Sequence, residues 1–137
     1  MNVRTAFTTL AAASGLALAA CGSDDKGAAS TAEQSSSPSA AIAEVGKTKA
    51  GLDKAVSQLR GGDKKAAEET VSETYLQHFE KVEGPLGKVD PELNEKLEEA
   101  ISGDLRARIR NGAPVAQVRK QVDQVKTDLD TAAEKLR

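Results

Sequence analysis

Aromatic and sulfur-bearing residues are scarce in this sequence. Phe, Tyr and Trp together make up 2% of its 137 residues, Trp is absent, and there is one Cys and one His. A single cysteine cannot form an internal disulfide bond. With so few aromatic rings, the chain also lacks the platforms on which single-stranded nucleic-acid bases stack.

The charge balance argues against nucleic-acid binding as well. The chain carries 19 Lys and Arg against 21 Asp and Glu, a formal net charge of -2. Nucleic-acid binding requires a concentrated basic surface that displaces counterions from the phosphates. We therefore predict no nucleic-acid partner.

Short motifs that mark common enzyme sites are missing. The sequence has no Gly-rich phosphate loop, no His pair at metal-ligand spacing and no CxxC. We therefore predict that the protein is not an enzyme. Any bound metal would depend mainly on carboxylates, which suit hard cations such as ferric iron or calcium.

What is present begins with an export signal. Residues 1–20, "MNVRTAFTTLAAASGLALAA", combine an early positive charge at Arg4, an apolar region and small residues at the end. The run from Ala6 to Ala20 is about 15 residues long, whereas a helix that spans a bilayer needs roughly 20. This length favours a removable signal peptide over the alternative, a permanent N-terminal membrane helix.

The lone cysteine closes this segment. The residues Leu18-Ala19-Ala20-Cys21 resemble the cleavage box of bacterial lipoproteins. That resemblance implies cleavage before Cys21, a diacylglycerol on its thiol, and a protein held at the extracytoplasmic face of the cell membrane. Two acyl chains give stable attachment, whereas one gives only weak attachment. The alternative is a soluble secreted protein with an incidental cysteine.

After the cysteine, residues 21–39 predict a disordered tether. The stretch "GSDDKGAASTAEQSSSPS" is rich in Ser, Ala, Gly and charge. Such a composition cannot bury enough apolar surface to offset the entropy lost on ordering.

Residues 40–137 predict an all-α domain: an up-down-up-down antiparallel four-helix bundle with helices at about 40–60, 64–83, 91–110 and 114–136. Apolar residues recur in each segment at helical spacing. They are Ile42, Val45, Leu52, Val56 and Leu59; Ala67, Val71, Tyr75, His78, Phe79 and Val82; Leu93, Leu97, Ile101, Leu105 and Ile109; and Val115, Val118, Val122, Val125, Leu129, Ala132 and Leu136.

Turn and cap residues mark the helix boundaries. Gly61 and Gly62 suit a helix C-terminus, and Asp63 suits the next N-cap. The sequence "GPLGKV", residues 84–89, predicts a break after the second helix. Asp90 followed by a proline predicts the start of the third helix.

Two groups of residues are candidates for binding chemistry. Glu80 and Glu83 lie one turn apart, away from the apolar stripe, as either a solvated acidic face or a pair that captures a cation or a basic partner. Counting from the turns brings Tyr75, His78 and Glu98 to one level, where bundles hold metals.

Lys49 and Thr127 fall at the same level as this candidate metal site. Lys49 weighs against a cation there. The alternative is a satisfied polar network, or side chains that reach out to water along their apolar stems. A further pair, Asp104 and Arg108, has the spacing of a structural ion pair on one helix.

The helical region also resembles the extracytoplasmic helical domain of the oxidase-coupled high-affinity iron permease family, over about residues 50–136. The resemblance rests on Gly62-Asp63, Tyr75-Leu76, Phe79-Glu80, Glu83, Leu86, Asp90-Pro91, Leu93, Glu98 and Leu105-Arg106. A fainter resemblance links it to the imelysin-like iron-uptake lipoproteins. The permease's membrane helices have no counterpart here, so we do not expect the chain to be the transporter itself.

Together these resemblances predict an envelope lipoprotein that assists the uptake of iron or another hard cation. It would act by binding the cation or by contacting a metal permease, with Tyr75, His78, Glu80, Glu83 and Glu98 as candidate ligands. The alternative is a structural or adaptor lipoprotein that docks another envelope protein and binds no metal.

Overall fold

A computed structural model describes residues 37–137 as helices joined by short turns, with no strand among them. The predicted all-α class is confirmed for this part of the chain. The predicted signal peptide, Cys21 and the tether as far as residue 36 lie outside the described residues. The elements are α1 Pro38–Arg60, α2 Lys64–Thr74, a π-helical segment Tyr75–Phe79, α3 Glu80–Val89, α4 Pro91–Glu98, a second π-helical segment Glu99–Leu105, α5 Arg106–Arg110 and α6 Val115–Lys135.

These elements form four helices in a bundle-like fold. The first is α1 and the fourth is α6. The second runs without interruption through α2, the first π segment and α3, and the third runs through α4, the second π segment and α5, because the residues at these junctions keep helical dihedral angles. None of the helices in the described part is both long and apolar enough to cross a membrane.

Side-chain caps begin three of the helices. Asp63 accepts a hydrogen bond from the backbone N–H of Ala66 at 2.9 Å, and Asp90 accepts one from Leu93 at 3.0 Å. Ser37 caps α1 in the same way, and Pro38 stands at its first position. The helix therefore begins two residues before the predicted start at residue 40, because Ser-Pro provides the same cap and preset dihedral angle as Asp-Pro.

The second helix differs from its prediction. It passes through Pro85 and ends at Val89, whereas residues 84–89 had predicted a break. A proline inside a helix removes one backbone hydrogen bond and costs about 3 kcal/mol. Here Pro85 and Leu86 are both buried, and the apolar surface that they remove from water offsets that cost.

The core is aliphatic except for one ring. Val71, Val82 and most other stripe residues of the four helices are buried, whereas Ile42, Leu59 and Leu93 are partly buried against this core. Phe79 is the only aromatic residue among the buried side chains of residues 37–137. The largest fully buried residues are Phe79, Leu52, Leu86, Leu97, Ile101, Leu105, Ile109 and Leu129. Since most core side chains are small, the helices must approach closely to exclude water.

The closest approach between α1 and α2 lies at Gly51. A β-carbon built on Gly51 would collide with the Thr74 hydroxyl and would lie 2.8 Å from the Thr74 methyl group. Thr74 cannot easily turn away, because it is buried and its hydroxyl donates to the Thr70 carbonyl at 2.6 Å. The glycine is therefore required by packing rather than by its backbone conformation.

This contact predicts opposite effects for two substitutions in α1. Gly51→Ala should destabilise the fold by about 1–3 kcal/mol through overpacking. Gly46→Ala, at an exposed position with no atom within 4 Å of the new methyl group, should stabilise it by about 0.5–1 kcal/mol. Urea and thermal unfolding followed by circular dichroism measure both changes, and a Gly51→Ala protein as stable as the wild type would contradict the close approach.

Candidate functional site

The first candidate cluster is built around Tyr75, in the first π segment. Its hydroxyl donates a hydrogen bond of 2.7 Å to Glu83, eight residues along the same helix. The Tyr75 ring packs at a tilt against the buried ring of Phe79, with the ring centres 5.9 Å apart. The phenol is thus held between the core and a carboxylate.

The charges of two further carboxylates, Glu80 and Glu98, affect the pKa values of Tyr75 and Glu83. Burial is the main cause that raises the pKa of Glu83, the charges of Glu98 and Glu80 raise it further, and the Tyr75 hydrogen bond opposes them. Burial likewise raises the pKa of Tyr75 well above its ordinary value of 10.0, with added contributions from Glu83, Glu98 and Glu80. These four side chains, from the second and third helices, are named here the Tyr75 cluster.

Chemically, the Tyr75 cluster is a site of excess negative charge. Glu83 is partly buried, whereas Glu80 and Glu98 are exposed. A partly buried carboxylate that faces two other negative charges favours a cation as well as a proton. Of the five predicted ligands, Tyr75 and Glu83 are in direct contact, and the charges of Glu80 and Glu98 act on that pair.

His78 belongs to a different cluster. Its Nδ1 lies 2.7 Å from Oε2 of Glu44 in α1, and Lys47 donates to the other oxygen of Glu44 at 2.8 Å. The Glu44 side chain is 12% exposed. The hydrogen bond from Lys47 is the main cause that lowers the pKa of Glu44, and His78 and the charge of Lys81 lower it further.

Sequence reasoning did not single out Glu44. The available signal was its place between Ala41 and Thr48, which are spaced as one helix face and are both buried. A carboxylate beside a buried stripe needs a hydrogen-bonding or charged partner. Glu44 has two, Lys47 of its own helix and His78 of the second helix.

The predicted interior polar layer does not form. Lys49 pairs with Asp130 on α6, while Thr127 is exposed and donates to the Asp123 carbonyl at 3.1 Å. Glu98 is also exposed. Charged and amide side chains reach water from positions beside the core, whereas the polar residues that are buried are the threonines Thr48, Thr70 and Thr74.

The predicted pair of Asp104 and Arg108 is also absent from the ion pairs of residues 37–137. Asp104 lies in the second π segment and Arg108 lies in α5. Both side chains are exposed, so the helical spacing alone does not bring them together. The neighbouring Arg106 and Arg110 pair instead with Glu68 of α2.

No preassembled metal centre lies in the described region. Among residues 37–137, no group of three or more His, Cys, Asp or Glu side chains is arranged to hold a metal ion. A scan against protein-family models finds no match for the chain, and searches of curated proteins and of solved structures find none either.

The Glu44 contacts predict a particular acid sensitivity. Because the folded-state pKa of Glu44 lies below its ordinary value of 4.5, its ionised form stabilises the fold above that pH. The contribution is lost as the pH falls through the folded-state pKa. Glu44→Gln should therefore lower stability at neutral pH and flatten its decline toward about pH 3.

Urea midpoints measured across this pH range test the effect. Glu73→Gln is the control, since Glu73 is exposed and has no ion-pair partner among the described residues. If the urea midpoint fell equally steeply with decreasing pH in the wild type and in Glu44→Gln, the role of Glu44 in acid sensitivity would be contradicted.

Proposed function

We propose that this protein is a membrane-anchored extracytoplasmic lipoprotein that assists metal uptake, with iron as the metal, by binding a cation or by contacting a permease. The observation that carries the proposal is the environment of Glu83. This carboxylate is partly buried beside two others, Glu80 and Glu98, and its pKa is raised as a result. A chain selected for stability alone gains nothing from that arrangement, whereas a cation binder gains affinity.

The chemistry of the Tyr75 cluster favours a hard cation. Its ligating atoms are oxygens, from three carboxylates and one phenol, and oxygen ligands suit ferric iron and other hard ions. Glu83 is already oriented by the Tyr75 hydroxyl. Glu80 and Glu98 are exposed, so their side chains are free to turn toward an ion bound at Glu83.

We also infer that the four helices run alternately up and down as an antiparallel bundle. Lys49 of α1 pairs with Asp130 of α6. Asp53, one turn further along α1, pairs with Lys126, one turn earlier in α6. Residue numbers thus rise along one helix as they fall along the other, and the short turns between helices favour antiparallel neighbours.

Cation binding predicts a reversal in the effect of one substitution. Without metal, Glu83→Gln should raise stability at neutral pH, because a group with a raised folded-state pKa loses its contribution as the pH rises through that pKa. With a bound cation, the wild type should gain stability that Glu83→Gln does not. The affinity of the Glu83→Gln protein for the cation should be about tenfold lower, or more, than that of the wild type, which corresponds to ~1.4 kcal/mol.

The measurement is a titration of the full-length protein with ferric, ferrous, cupric and calcium ions, followed by calorimetry and thermal unfolding. Glu80→Gln should weaken binding as Glu83→Gln does. Glu134→Gln is the control, since Glu134 is an exposed carboxylate on α6 outside the Tyr75 cluster. No binding tighter than millimolar for any of the four ions would refute cation capture.

Lipid anchorage is a separate part of the proposal and rests on the residues Leu18-Ala19-Ala20-Cys21. Native protein from the membrane fraction should begin at Cys21 and carry the mass of a diacylglycerol on that residue. Cys21→Ser should remove the added mass and prevent processing. A native protein with an unmodified thiol at Cys21 would overturn this part while leaving the cation titration unaffected.

A second candidate is an adaptor that docks another envelope protein and binds no metal. It is favoured by the lack of a preassembled group of three metal-ligating side chains within residues 37–137. Crosslinking in intact cells distinguishes the two functions. An adaptor's partner should be recovered equally with and without a chelator, whereas contact with a permease during iron delivery should depend on iron supply.

A further inference from the structure

The surface between α5 and α6 contains a cleft unlike the rest of the protein. Its volume is about 490 Å³, and it is lined by Arg108, Gln117, Lys120, Gln121 and Gln124. Two of these side chains are cationic, three are amides, and none of the described lining residues is acidic. It lies apart from the Tyr75 cluster, none of whose members lines it.

Both cations of the cleft lack ion-pair partners among residues 37–137. Arg108 makes no ion pair with Asp104, four residues before it. Lys120 has none although Asp123 is near in sequence, since Asp123 pairs with Arg119 at 3.8 Å. Exposed cations of the described residues are otherwise commonly paired. Two unpaired cations in a cleft with no acidic residue among its described lining form a region of positive potential.

The three glutamines supply hydrogen-bonding groups next to these cations. They recur at spacings of four and three along α6 and so share one face. The Gln121 side-chain oxygen is buried and has no hydrogen-bond partner in the described structure. A buried acceptor without a partner is costly. A ligand hydroxyl group would satisfy it once the Gln121 side chain turns toward the cleft.

From these groups we propose that the cleft binds a polyol phosphate, that is, a phosphate group carried on a glycerol or sugar body. The planar guanidinium of Arg108 matches two phosphate oxygens with two parallel hydrogen bonds, and Lys120 adds a point charge. The amides of Gln117, Gln121 and Gln124 each offer donors and an acceptor to hydroxyl groups. The cationic side chains would therefore bind the phosphate group of such a ligand, and the amides would bind its hydroxyl groups.

The composition of the cleft distinguishes this ligand from two larger anions. An anionic bilayer is attracted by clusters of 4–8 Lys and Arg, and this cleft has two. Single-stranded nucleic acid stacks its bases on aromatic rings, and none of the described lining residues is aromatic. A discrete phosphate with hydroxyl groups matches both the small number of charges and the number of amides.

Nuclear magnetic resonance of isotope-labelled full-length protein tests the proposal, with glycerol 3-phosphate as the probe. The side-chain amide signals of Gln117, Gln121 and Gln124 should shift and saturate. Arg108→Gln and Lys120→Gln should each weaken binding about tenfold, as expected for the loss of a charged hydrogen bond. Arg60→Gln is the matched control, because it removes the same charge from a groove that also contains Asp53 and Asp123.

Three comparisons separate this site from simpler explanations. Inorganic phosphate should bind several-fold more weakly than glycerol 3-phosphate, and glycerol alone should not bind. If inorganic phosphate bound as tightly as glycerol 3-phosphate, the site would hold an adventitious ion only. If Arg60→Gln weakened binding as much as Arg108→Gln does, the binding would reflect the net charge of the protein and not this cleft. Either result overturns the proposal, as does the lack of any saturable shift.

Binding to phosphatidylglycerol vesicles tests whether the cleft contacts a membrane surface instead of a free ligand. Wild type and the double variant Arg108→Gln, Lys120→Gln should bind these vesicles equally, because any lipid anchor contributes equally to both. A loss of vesicle binding in the double variant, without any effect of glycerol 3-phosphate on the wild type, would assign the cleft to a membrane surface and overturn the proposal.

Discussion

Close packing of small aliphatic side chains is the constraint on which this structure depends. With one aromatic ring in the described core, little volume is available to fill gaps between helices. The backbones must therefore come together, most tightly where Gly51 of α1 meets Thr74 of the second helix. Buried threonines tolerate this closeness because they donate to carbonyls of their own helix, as Thr48 does to Glu44 and Thr74 to Thr70.

Because the core is apolar and closely packed, charged side chains lie at the borders between helices. There they form separate groups with different chemistry. Glu44 is surrounded by cationic or basic partners from two helices, so its pKa falls, whereas Glu83 faces other carboxylates, so its pKa rises. The second helix therefore takes part in an arrangement with α1 that serves stability and in one around Glu83 that opposes it, and the latter carries the proposed function.

The two π-helical segments contain several residues for which the sequence predicted contacts. The first contains Tyr75 and His78, which face a carboxylate of their own helix and one of α1 respectively. The second contains Asp104, which makes no ion pair with Arg108 among residues 37–137. Arg108 instead lines the cleft beside α6.

Several features follow from the sequence because their causes are local. The capped starts at Asp63 and Asp90, the turns at Gly62 and Gly112 with positive φ, and the apolar stripes of all four helices depend on neighbouring residues and helical periodicity. The Ser-Pro pair at the start of α1 is an equally local signal, although the prediction placed that start two residues later. Among the candidate ligands, Tyr75 and Glu83 meet within one helix, as their spacing of eight residues allows.

Other features were decided only by tertiary structure. The second helix continues through Pro85 because burial of Pro85 and Leu86 offsets a lost hydrogen bond, a balance that local propensity does not contain. His78 contacts Glu44 because the packing of α1 against the second helix brings the two side chains together. Periodicity determines which face of a helix is apolar, but the pairing of polar side chains at its edges depends on distances between helices.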